Sequence, residues 1–161
     1  MEHAIRKHLK VHFEEDPALY QRLSEKLDSL IQKHKDDWDN LFSGLAGLRT
    51  EVEAGRKDGV EGLTARESPF YDRIGQIAYG GNIPADHANR IKELVRDTLA
   101  LLHSTIGIID FWSNGYEVDK LKGALSDLVL LTELDPIIAT SELLVTEITA
   151  LAKIRHQDIL K

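Results

Sequence analysis

The sequence predicts an all-α protein: about seven helices in one bundle-like domain over residues 1–161, with one irregular connector at 105–115. Three observations carry that expectation. Apolar residues recur every three or four positions along most of the chain, which stacks them on one face of a helix. Acid- or Ser-proline pairs (Asp16-Pro17, Ser68-Pro69 and Asp135-Pro136) interrupt those stripes. Asp16-Pro17 and Ser68-Pro69 are each read as a cap and a first helical residue, because proline lacks only an N–H that the first turn would leave unpaired, and Asp135-Pro136 as a further break. Gly80-Gly81 closes a further stripe, glycine accepting the left-handed conformation that ends helices.

The first helix is read from Ile5, Leu9 and Phe13, each four residues after the last. After Asp16-Pro17 a second stripe follows, Leu19, Leu23, Leu27, Leu30 and Ile31, to about Lys33. Asp36 or Asp37 then caps a third helix, with Trp38, Leu41, Phe42, Leu45, Leu48 and Val52 expected inward. Gly44 and Gly47 lie inside it, each costing about 1 kcal/mol relative to Ala, and small residues there permit a close helix crossing. Gly55–Gly62, rich in glycine and charge with no apolar period, reads as a plain loop.

A short fourth helix opens at Ser68-Pro69 with Phe70, Ile74, Ile77 and Ala78 inward. A long fifth follows Pro84 and carries Ile91, Leu94, Val95, Leu99, Leu101 and Leu102 to about His103-Ser104. Thr105–Ile109 is β-branched around Gly107, so the connector is expected to be locally extended. Its Phe111-Trp112 pair is either a core plug, the commoner fate of large aromatics, or an interface anchor. The sixth helix spans about Tyr116 to Leu131, with Leu121, Leu125, Leu128 and Val129 in phase. The last begins near Thr140 or Ser141 and carries Leu144, Ile148, Leu151, Ala152 and Ile159.

Composition narrows the function classes. Hydrophobic residues at 42% and charged residues at 29% are ordinary for a globular protein. No cysteine is present, which rules out disulfides and thiolate metal sites and suits a reducing cytosol. The longest apolar runs are a few residues, and Met-Glu-His opens no signal-peptide h-region, so a soluble, cytoplasmic protein without a membrane partner is expected. A net charge of −7 argues against a surface devoted to nucleic acid. Locally, however, the first helix carries Arg6, Lys7 and Lys10 against Glu2, which reads first as a solvated helix face and second as a face that could meet a DNA backbone.

Catalytic and metal motifs are missing. There is no GxSxG, HExxH, GxGxxG or GxxxxGK[ST]. His8 and His12 stand four apart, as a metal pair would, but no third ligand lies near in sequence, so they read as packed or rim histidines. Glu14, Glu15 and Asp16 sit at a helix entrance, where carboxylates meet the positive end of the helix dipole. No catalytic, cofactor or metal residue is assigned.

Four stretches, in order, resemble the C-terminal helical region of type I restriction enzyme R (motor) subunits. They are MEHAIRKHLKVHFEEDPALYQRLSEKL at the start, SPFYDRIGQIA, the IDFW segment at Ile109–Trp112, and LLVTEITALAKIRHQDILK at the end. The resemblance covers nearly the whole chain. It implies a fragment of a larger protein that carries an endonuclease domain and two RecA-like translocase domains and uses ATP and Mg²⁺; none of their motifs occurs in this chain. It further implies a non-catalytic role, docking the motor onto the methyltransferase–specificity core and packing on the parent's own translocase domains. On that reading Phe111 and Trp112 are expected partner contacts, and Arg6, Lys7 and Lys10 expected DNA contacts. The alternative is a helical module that grips duplex DNA through its basic first helix.

Overall fold

The computed structural model describes residues 1–161. The chain is all-α: nine helices, two single-turn 3-10 segments and no strand. No helix is long and apolar enough to cross a membrane. Contacts gather into two compact units, Met1–Asp58 and Gly59–Lys161.

The first unit is a three-helix assembly of α1 (Glu2–His12), α2 (Pro17–Lys33) and α3 (Trp38–Ala54), each packed on the other two. Its core is Ile5 and Leu9 from α1, Tyr20, Leu23 and Leu27 from α2, and Leu45, Leu48 and Val52 from α3. Asp16 caps α2 by accepting from the Leu19 N–H at 3.2 Å, and Asp37 caps α3 by accepting from the Asn40 N–H at 3.2 Å. Both start signals were legible as an acid placed just before its helix.

Three aromatics expected inside this unit lie outside its core. Phe13 is 40% exposed because α1 stops at His12 and Phe13–Glu15 winds as a 3-10 turn, whose tighter period breaks the phase set by Ile5 and Leu9. Trp38 and Phe42 are 78% and 65% exposed. At 100° per residue Leu41, Leu45, Leu48 and Val52 already form a stripe, and Phe42 falls well round the helix from it. Gly44 fits the close crossing: a Cβ there would lie 2.6 Å from Leu30 Cδ1. Gly47 has open space instead.

The second unit holds α4 (Ser68–Tyr79), α5 (Ala85–Thr105), α6 (Gly115–Leu131), α7 (Asp135–Ala139), α8 (Ser141–Ile154) and α9 (His156–Leu160). Helix α5 packs on α4, α6 and α9, while α8 packs on α4, α6, α7 and α9. Phe70, Ile74, Ile91, Val95, Leu102, Leu121, Leu125, Leu144 and Ile148 form one core at 3% exposure or less. The expected stripes of α4, α5 and α6 therefore hold, with Ile77, Ala78, Leu101 and Leu128 at the margin.

Ser68 does not cap α4. It is wholly buried; its Oγ donates to the Thr64 carbonyl and accepts from the Val60 N–H, both at 2.7 Å. The cap lies one turn earlier as a reciprocal box: Glu67 Oε2 accepts from the Thr64 N–H at 2.7 Å, and Thr64 Oγ1 accepts from the Glu67 N–H at 3.2 Å. The T-x-x-E signature at Thr64–Glu67 could have been read from the sequence. Gly80 is left-handed and the Gly81 N–H reaches the Gly75 carbonyl, so the glycine pair ends α4 as expected. The last expected helix is two, α8 and α9, broken at Arg155.

Candidate functional site

The connector between α5 and α6 was expected to be extended. It is instead a compact series of turns, in which Ile106 and Phe111 find a core that β-propensity alone does not register. Thr105 is the last residue of α5, its hydroxyl bonding back to the Leu101 carbonyl at 2.7 Å. Ile106 is buried completely. Asp110 adopts φ +57°, a left-handed conformation that Asp tolerates better than most residues, and Phe111–Ser113 form a 3-10 turn. Asn114 then accepts from the Glu117 N–H and opens α6.

This path settles the plug-or-anchor alternative for Phe111. The ring is 1% exposed and belongs to the second core, so it has no free surface to offer a partner. Trp112 packs edge-on against it, ring centroids 4.9 Å apart at 88°. The indole is half-buried, and its Nε1–H donates to His156 Nδ1 at 3.0 Å. The residues the connector does present are Ile108 and Ile109, 52% and 89% exposed. Sequence reasoning missed them. The one available signal was their place between Gly107 and Asp110, two residues suited to a tight turn.

An ion pair and a hydrogen bond join three distant stretches of the second unit. Arg73 of the PFYDR segment pairs with Glu147 of the closing segment at 2.5 Å, and Trp112 of IDFW bonds His156 of the same closing segment.

In the first unit Arg6 is committed to protein carboxylates. Its Nε meets Glu2 Oε1 at 2.9 Å and its Nη2 meets Asp28 Oδ1 at 2.8 Å. The hydrogen bonds to Glu2 and then Asp28 raise its already high pKa. A DNA phosphate would have to displace both carboxylates, which weakens the expected contact at Arg6. Lys7 and Lys10 are exposed. An open groove of about 680 Å³ runs between α1 and α2, with Lys10, Val11, Phe13, Tyr20 and Glu25 among its lining.

His8 and His12 stack with ring centroids 4.3 Å apart beside Tyr20, and His12 Nδ1 lies 2.9 Å from Glu15 Oε1. No three His, Asp or Glu side chains converge as an ion-holding group. Burial, and then the nearby Asp72 and Asp86 respectively, raise the pKa values of Tyr71 and Tyr79, so both phenols stay protonated hydrogen-bonding or packing groups. Compared with protein families, known proteins and solved structures, the chain matches none.

Proposed function

We propose that this chain is a non-catalytic assembly module of a type I restriction-modification enzyme, acting in the cytoplasm. It would brace the motor subunit against the methyltransferase–specificity core and pack on the parent's translocase domains. ATP, Mg²⁺ and the nuclease and translocase chemistry belong to those other domains on this reading. One observation carries it: four stretches in family order, of which PFYDR and IDFW both bond to the closing segment, through Arg73–Glu147 and Trp112–His156. The resembling residues therefore maintain a shape, as a geometric brace requires.

The test is a pull-down with the purified chain as bait and a cognate methyltransferase–specificity complex as prey. The expected result is retention at micromolar concentration, weakened at least tenfold by Ile109→Asp, which alters the exposed isoleucine of the IDFW segment without touching the core. No retention of the complex by the intact, folded chain overturns the docking role.

A further inference from the structure

Hydrogen bonds to His12, His87 and His156 respond differently to a proton. His12 faces the Glu15 carboxylate, an acceptor that gains from a charged imidazole. His87 Nδ1 lies 2.9 Å from the Tyr79 hydroxyl, which can donate or accept, and its Nε2 lies 3.8 Å from Asp86. That contact survives either charge state. His156 is different, because its partner is the Trp112 indole, which only donates. For this bond to form, Nδ1 must offer a lone pair, which requires the neutral imidazole with its hydrogen on Nε2. Protonation places a second hydrogen on Nδ1, directly opposite the indole N–H, and the bond ceases to exist.

We propose that the Trp112–His156 hydrogen bond is a proton-sensitive latch, closed at neutral pH, that ties α9 to the connector and opens on acidification. The latch joins residues 44 apart in sequence. Helix α9 has five residues, far below the length at which a helix is stable alone, so it depends on tertiary anchors. Helix α9 packs on α5 and α8, and its anchors include buried Ile159, half-buried Leu160 and this bond. Both rings are half-buried, dry enough for the bond to count and open enough for a proton to arrive.

Charged or titratable groups on the connector, on α9 and in the last turns of the helices packed on α9 include Asp110, His103 of α5, Lys153 of α8, and Arg155, Asp158 and Lys161 beside the ring in sequence. Arg155 is paired with Asp158 at 2.8 Å. The closed form binds one proton fewer than the open form, so falling pH favours opening. Opening frees indole surface next to Ile108 and Ile109 and enlarges the apolar tip. The latch does not depend on the proposed function.

Trp38 and Trp112 are the only tryptophans, and Trp38 is exposed, so Trp38→Phe leaves Trp112 as a clean reporter in the full chain. As pH falls from about 8 to about 5, across the range where imidazoles charge, Trp112 emission should shift to longer wavelength. Amide exchange in 156–160, corrected for intrinsic rates, should speed by roughly three- to tenfold, the loss of one net hydrogen bond. Adding His156→Gln, whose carbonyl accepts at every pH, should flatten both profiles. An equal pH response with and without His156→Gln overturns the latch. Nitrogen NMR of the unmodified chain is independent of any variant: the Nε2–H tautomer of His156 is expected at neutral pH, and the Nδ1–H tautomer overturns the proposal.

Discussion

Arg56 grips the carboxylate that starts α2, forty residues away in sequence: Nε to Asp16 Oδ2 is 2.6 Å and Nη2 to Asp16 Oδ1 is 3.1 Å. The two side chains are 11% and 5% exposed, so this is a largely dry, two-pronged ion pair. Asp16 also caps α2, and one carboxylate therefore holds both a helix start and the chain end of the first unit. Asp16→Ala should destabilise the first unit by about 3–5 kcal/mol, the cost of removing one member of a buried ion pair. Asp16→Asn, which keeps the cap acceptor, should cost less. In a urea-denaturation cycle Asp16→Ala and Arg56→Ala should be less than additive by roughly 1–3 kcal/mol; simple additivity would mean the pair is incidental.

The glycines of α3 should separate by position. A methyl carbon added at Gly47 would meet nothing within 4 Å, so Gly47→Ala should stabilise by about 0.5–1 kcal/mol through reduced chain entropy and better helix propensity. Gly44→Ala gains the same propensity but drives its Cβ to 2.6 Å from Leu30 Cδ1. The Leu30 side chain must turn aside to admit that methyl, so Gly44→Ala should raise the melting temperature less than Gly47→Ala does. Equal melting shifts for the two variants would contradict the close crossing of α2 and α3.

Acid should loosen the start of α3 through Asp37. The Asn40 side-chain amide first, and its backbone N–H second, hold this carboxyl below its ordinary value of 3.8. A depressed carboxyl stabilises the folded cap above that ordinary value, and the contribution fades as pH falls through the lowered one. The Asn40 amide shift, followed by NMR below pH ~4, should titrate with Asp37 and become flat in Asp37→Asn, which retains an acceptor without a titrating charge. A titrating Asn40 signal in that variant would place the cause elsewhere.

Much of the fold could be read from the chain because its signals are local. Apolar residues at helical spacing and caps at Asp16 and Asp37 act within a turn or two, and Gly80-Gly81 needs no distant partner to end α4. Exposure at the stripe edges was harder to read. Trp38 and Phe42 satisfy helical spacing, yet which side of a wide stripe is covered depends on where α1 and α2 lie. The candidate site was less legible still. A sequence marks Phe111-Trp112 as notable but gives no sign that one ring is swallowed, the next is tied to His156, and the isoleucines just before them are left outside.

Local sequence is enough to set the all-α class, the helix starts at Pro17 and Trp38 and the inward faces of α5 and α6, since backbone hydrogen bonding and apolar period are governed by neighbours three and four residues away. The pairs Asp16–Arg56, Arg73–Glu147 and Trp112–His156, and the turn that pushes Ile109 outward, emerge with the assembled fold. Those contacts join residues forty or more positions apart, or answer to a core built from many helices, and no local propensity encodes which distant side chain will arrive.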